Sequence, residues 1–137
     1  SKPLLTSLTD AINYRQYAQE KLSASLQELQ SVLPNKCLTV EQYLALRKLL
    51  RRSLLTGGWF GNLFDSQLRD QFRMPWLDIQ HGLSELQSLS IIHQQLQRLE
   101  DAPKKLINWH QSKLDNLLLA LEHSRESAME QQPYWDE

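Results

Sequence analysis

The sequence predicts an all-α protein: a helical bundle of four longer helices plus one short helix, with an antiparallel hairpin of the last two. Three observations predict this class. The chain has 28 Leu but only seven Val and Ile together, it has 15 Gln, and it has only four Gly. Leu and Gln lose little rotamer freedom in a helix, whereas strands favour β-branched residues. Apolar residues that recur every three or four positions favour helices as well.

The first two helices have clear start and stop signals. Helix one is expected over residues 9–33, where an apolar stripe runs up to the helix-stopping Pro34. Helix two begins at Thr39-Val40-Glu41-Gln42, the pattern of a capping box. Its end is expected near Leu55, because Gly57 can take the left-handed conformation that closes many helices.

The middle of the chain predicts an aromatic turn, a short third helix and a longer fourth one. The turn is Trp59-Phe60-Gly61-Asn62, and the short helix is expected over residues 63–73. Met74-Pro75-Trp76 indicates a break, because proline is best tolerated in the first turn of a helix. The fourth helix is then expected over residues 76–100.

The last part of the chain completes one domain over residues 1–132. Asp101-Ala102-Pro103 is typical of a helix start, and the fifth helix is expected to run to about residue 129 with Leu106 facing inward. Residues 133–137 form a C-terminal tail that carries two aromatic residues. This tail either recognises a partner or folds back onto the bundle, and the sequence leaves both open.

Composition and charge limit the class of protein. The formal net charge is -1, but residues 1–58 carry eight basic and four acidic residues, whereas residues 59–137 carry seven and twelve. No signal peptide and no apolar run long enough to span a membrane is evident, and the single Cys37 excludes an intramolecular disulfide. We therefore expect a soluble, cytoplasmic protein.

The main candidate site is a basic stripe on helix two, followed by the aromatic turn. At about 100° per residue the four cations of the stripe fall within an arc of roughly 140°. Basic side chains beside exposed apolar ones suit a protein groove or a phosphate backbone, and an exposed aromatic pair would anchor a partner. A solvated helix face followed by an aromatic turn that closes the core is the alternative. The candidate partner-binding residues are Arg47, Lys48, Arg51, Arg52, Trp59 and Phe60.

A histidine pair is a second candidate. If the last two helices form an antiparallel hairpin that turns near residues 101–102, His93 lies at the level of His110 on the apolar stripes. Two facing imidazoles could bind a metal or respond to pH. Two histidines satisfied at the edge of the core are the preferred interpretation, because a transition-metal site normally needs a third protein ligand.

Catalytic motifs are not evident. The glycines of residues 57–61 lack both the following lysine and the preceding strand of a phosphate-binding loop. No Gly-x-Ser-x-Gly sequence occurs, and Cys37 lies between a proline turn and a helix cap. The sequence thus predicts no enzyme, no cofactor and no metal site.

The function that these features favour is a non-enzymatic interaction protein: an adaptor, regulator or inhibitor that binds another macromolecule through the basic helix and the aromatic turn. Another protein is the expected partner. The alternative is a nucleic-acid-binding accessory protein that uses the same basic stripe. No membrane partner is expected, and a homodimer stays open because Leu-rich helices can complete their core with a second copy.

Overall fold

The computed structural model describes residues 8–33 and 38–136, which form four α-helices and no strand. The helices are α1 (Leu8–Val32), α2 (Val40–Phe60), α3 (Ser66–Arg98) and α4 (Lys104–Glu130). One short 3-10 turn follows α2 at Gly61–Leu63, and another follows α4 at Tyr134–Asp136. The all-α bundle predicted from the sequence is confirmed. The predicted stop at Pro34 and the residue Cys37 lie outside the described residues.

Helix α2 begins as its sequence predicts and ends later than expected. The Thr39 hydroxyl accepts from the Gln42 backbone N–H at 3.2 Å, and the Gln42 side chain accepts from the Thr39 N–H at 2.9 Å, which completes the capping box. The predicted end near Leu55 is wrong, because the helix continues through Gly57 to residue 60.

Gly61, rather than Gly57, is the glycine that the end of α2 requires. It has an ordinary right-handed φ of -68°, so it is not a left-handed cap. A Cβ at this position would lie 2.8 Å from both Arg69 Cδ and Tyr134 Oη. Glycine is needed here because the neighbouring side chains approach the backbone closely.

Helix α3 contains both the short helix and the fourth helix of the sequence analysis. Asp65 caps it by accepting from the Leu68 N–H at 3.0 Å, and the predicted break at residues 74–76 is wrong because Pro75 lies inside the helix. A proline inside a helix costs about 3 kcal/mol. Phe72 and Trp76 are buried on either side of it, so one apolar face continues past the proline. Burial of that face outweighs the lost backbone hydrogen bond.

The bundle is built by packing each helix on the next: α1 on α2, α2 on α3 and α3 on α4. The antiparallel α3–α4 hairpin has the predicted register, because His93 and His110 stack with ring centroids 5.4 Å apart. Residues 87–98 of α3 contain no fully buried side chain, and Leu106, which was expected to face inward, is exposed. The core is centred on Leu50 of α2, Ile79, Leu83 and Leu86 of α3, and Leu121 of α4.

A partly buried polar network joins α2 to α4. Glu122 accepts from the Tyr43 hydroxyl at 3.1 Å and from Arg125 Nε at 3.1 Å, and a second Arg125 nitrogen pairs with its other oxygen. The hydrogen bonds from Arg125 lower the pKa of Glu122 in spite of burial. The almost completely buried Arg125 guanidinium is therefore held by a charged partner, as buried charges require.

The C-terminal residues fold back onto the bundle. Trp135 is buried between α1 and α3, where its indole N–H donates to Ser23 Oγ at 2.8 Å and its carbonyl accepts from the Gln19 amide at 2.6 Å. Its ring meets Phe72 edge to face at a centroid distance of 5.2 Å, and Tyr134 is buried beside it. Of the two alternatives left open by the sequence, residues 134–136 adopt the folded one.

The helices are amphipathic rather than uniformly apolar. Within the described residues, no helix combines the length and the apolar character needed to cross a membrane.

Candidate functional site

The exposed side of α2 forms a groove with α3, which we call the basic groove. Three of the four predicted cations, Arg47, Lys48 and Arg51, line its α2 wall. The groove has a volume of about 570 Å³, which is enough for several side chains of a partner. The described residues that line it are Leu44, Arg47, Lys48, Arg51, Gln80, His81 and Ser84.

The cations of the basic groove are free to bind a ligand. All three are exposed, and none forms an ion pair with another residue in the described part of the chain. Among the described residues that line the groove there is no carboxylate. The nearby acids of α3, Asp78 and Glu85, line a different groove, between α3 and α4. The field in the basic groove is therefore positive, and it favours an anionic partner.

A second depression lies further along the same two helices, and we call it the Trp59 shelf. Its lining residues are Leu54, Leu55, Gly58, Trp59, Asn62 and Arg73. Trp59 is 79% exposed and Leu55 is 61% exposed. Arg73 crosses from α3, where its guanidinium comes within 3.8 Å of the position of a Cβ on Gly58. The shelf thus presents a large apolar surface beside one more cation.

Two of the predicted site residues point toward α1 instead. Arg52 pairs with Glu28 of α1 at 3.5 Å, with both side chains mostly exposed. Phe60 is half-buried, and its ring meets Tyr17 of α1 edge to face at 5.8 Å. The structure therefore brings Arg47, Lys48, Arg51 and Trp59 to the α2–α3 side and separates them from Arg52 and Phe60.

The histidine pair is a feature of the α3–α4 hairpin. The rings of His93 and His110 are nearly parallel, and the Gln97 amide nitrogen lies 3.0 Å from Nε2 of His93. His110 is 2% exposed, and neither of its ring nitrogens has a hydrogen-bond partner in the described part of the chain. Burial, assisted by the neighbouring His93, lowers the pKa of His110. The arrangement favours a neutral His110.

Neither a metal-binding cluster nor an interior cavity of ligand size is found among the described residues. No group of three or more His, Cys, Asp or Glu side chains among them could hold a metal ion. A cavity lined by Leu22, Leu50, Trp76 and Trp135, among others, has a volume of about 40 Å³. That space is close to the volume of one water molecule, and far below that of a ligand pocket.

The α3 wall of the site was missed by the sequence analysis. Gln80, His81 and Ser84 line the basic groove, and Arg73 lines the Trp59 shelf. Gln80 follows Arg73 by seven residues and Ser84 follows Gln80 by four, so these positions lie on one side of α3, which is a signal present in the sequence. Only the packing of α2 against α3 shows that this side lies next to the basic stripe.

Comparison with family models, with curated proteins and with solved structures finds nothing that matches this chain.

Proposed function

We propose that this chain is a non-enzymatic interaction protein, an adaptor, regulator or inhibitor, that binds an acidic surface of another protein. The observation that carries the proposal is the meeting of three unpaired cations in the basic groove with no carboxylate among the described lining residues. Positive charge without an internal partner is available to steer and orient an anionic one.

Charge alone does not hold such a complex together. An exposed ion pair contributes about 0.2–1 kcal/mol, so Arg47, Lys48 and Arg51 supply roughly 1–3 kcal/mol. Micromolar binding requires about 8 kcal/mol. The remainder has to come from apolar burial, and a Trp that becomes buried in an interface contributes about 2–4 kcal/mol. Trp59 and Leu55 on the adjoining shelf are the residues proposed for that role.

Nucleic acid is the alternative partner, and the composition of the surface favours a protein. Leu44 lies among the cations of the basic groove and Leu55 lies just beyond them. A phosphate backbone has no apolar group to cover these leucines, whereas a protein surface does. Nucleic-acid binding also predicts an affinity that falls steeply with salt.

Affinity capture with matched variants tests the proposal. The groove variant combines Arg51→Glu with Trp59→Ala, and the control combines Arg98→Glu with Trp109→Ala, which changes another exposed cation and another exposed tryptophan. Wild type and control are expected to capture the same protein from a native lysate, and the groove variant is expected to lose it while its circular dichroism is unchanged. Equal capture by all three refutes the proposal. Capture that is abolished by nuclease identifies the nucleic-acid alternative instead.

A further inference from the structure

The kind of partner segment that fits the basic groove and the Trp59 shelf can also be inferred, and this inference rests on the proposed function. We propose that the basic groove and the Trp59 shelf bind an acidic amphipathic helix of a partner protein, which lies along the seam between α2 and α3. Three features of the seam favour such a helix: its length, the lack of free backbone groups in its walls, and the order of apolar and basic side chains along it.

The side chains on the outer face of the α2 wall form one straight stripe, in which Leu44 is half-buried and the other four side chains are exposed. Their successive spacings of four, three, four and four residues keep them on one side of the helix. The stripe extends for about 22 Å, at about 1.5 Å per residue. A helix of about 15 residues matches that length. The stripe consists of Leu44, Lys48, Arg51, Leu55 and Trp59.

The walls of the seam favour a helix over an extended peptide. Both walls are α-helices, so their backbone N–H and C=O groups are already paired within α2 and α3. An extended peptide would find no backbone partner here and would turn unpaired polar groups toward the apolar parts of the surface. A helix pairs its own backbone groups and presents only side chains to the groove.

The order of side chains along the stripe defines the occupant's sequence pattern. Apolar Leu44 lies at one end, Lys48 and Arg51 lie in the middle, and Leu55 with Trp59 forms the other end. Arg47 adds a third cation beside the middle of the stripe. The complementary helix has acidic residues three or four positions apart in its centre and apolar residues at both ends of the same face.

Synthetic peptides of about 15 residues provide the probe. The test peptide carries glutamates at helical spacing in its centre and leucines at both ends of one face, and it is made in both chain directions. One control has the same composition in scrambled order, a second replaces glutamate by lysine, and a third ligand is a short DNA duplex. The full chain is labelled with 5-fluorotryptophan, so that fluorine NMR reports its four tryptophans separately, and Trp59→Phe assigns the relevant signal.

We expect at least one direction of the acidic peptide to bind and to shift the Trp59 signal while the buried Trp76 and Trp135 signals stay in place. Arg51→Glu is expected to weaken binding by about tenfold or more, whereas the matched Arg98→Glu changes it less than about twofold. Equally tight binding of the scrambled peptide, an unmoved Trp59 signal, or a Trp59 shift caused only by DNA overturns the helix assignment.

The two proposals fail separately. If the groove variant loses its partner in the lysate experiment but neither direction of the acidic peptide binds, the interaction surface stands and the helical occupant is wrong. If capture from the lysate does not depend on the groove, the interaction surface itself is wrong.

Discussion

Replacement of Trp135 by alanine tests whether the C-terminal residues are an integral part of the bundle. The indole is 2% exposed, meets Phe72 and Tyr134 edge to face, and donates a hydrogen bond to Ser23. Large aromatic-to-alanine changes in a core cost about 3–5 kcal/mol, a range that includes the lost aromatic contacts. The total stability of a domain is about 5–15 kcal/mol. We therefore expect Trp135→Ala to remove a large fraction of the free energy of unfolding.

Urea unfolding followed by far-ultraviolet circular dichroism measures this loss. Trp135→Phe keeps a ring in the site and removes the indole N–H, so it should cost only about 1–2 kcal/mol. Trp109→Ala is the matched control at an exposed tryptophan, and should cost less than about 1 kcal/mol. A loss below about 1 kcal/mol for Trp135→Ala would show that the C-terminal residues do not contribute to the core, and the reasoning about residues 134–136 would be refuted.

Two further predictions concern stability. Because burial lowers the pKa of His110, the unfolded chain takes up this proton more readily than the folded one, so the free energy of unfolding should fall as the pH drops below about 6.5. His110→Leu should remove this part of the slope in urea titrations at several pH values, and an unchanged slope would contradict the assignment. Gly61→Ala should lower the melting temperature, at a cost of about 1–3 kcal/mol, because its Cβ would meet Tyr134 and Arg69 at 2.8 Å. Gly58 lies in a helix, and the nearest atom to a Cβ there is 3.8 Å away, so Gly58→Ala should raise the melting temperature through a gain in stability of about 0.5–1 kcal/mol. If both variants shift the melting temperature in the same direction, the close approach at Gly61 is contradicted.

The histidine pair shows how far local pattern can determine a contact in this chain. The apolar stripes of α3 and α4, combined with a turn near residues 101–102, were sufficient to predict that His93 lies beside His110. Helices joined by a short connection pack as antiparallel neighbours, so residues at equal distances from the turn lie at the same level. The preferred interpretation, two histidines satisfied at the edge of the core, does not hold for His110, which is buried without a hydrogen-bond partner in the described part of the chain. A metal or pH response by the pair stays the untested alternative.

The errors in the middle of the chain have a common cause. Gly57 and Pro75 are local signals for the end of a helix, and both lie inside helices in the fold. For Pro75 the intrinsic cost of about 3 kcal/mol is smaller than the gain from burying Phe72 and Trp76 on either side of it. For Gly57 the cost is only about 1 kcal/mol, and the half-buried Leu54 and Phe60 lie on either side of it. Residue preferences cannot show this, because the gain depends on what the other helices place against the same face.

The sequence predicted only one part of the candidate site, the cations of α2. Periodicity identified the cations on α2, but it could not assign Arg51 and Arg52 to different sides of the molecule or distinguish exposed Trp59 from half-buried Phe60. Neighbouring positions on a helix lie about 100° apart, so which of them faces another helix depends on where that helix packs. The position of α1 decided these differences, and the position of α3 supplied the second wall of the groove.

The sequence by itself determined the helical class, the capped start of α2, the α3–α4 hairpin and the cations of α2, because each follows from preferences and periods within a few turns of one chain segment. The tertiary structure alone decided that the predicted short helix and the predicted fourth helix form one continuous helix, α3. It also decided that Trp135 is buried and that Gln80 and His81 lie opposite the basic stripe. Those outcomes depend on burial between segments that are distant in the chain, and the free energy of that burial exists only once the helices have packed.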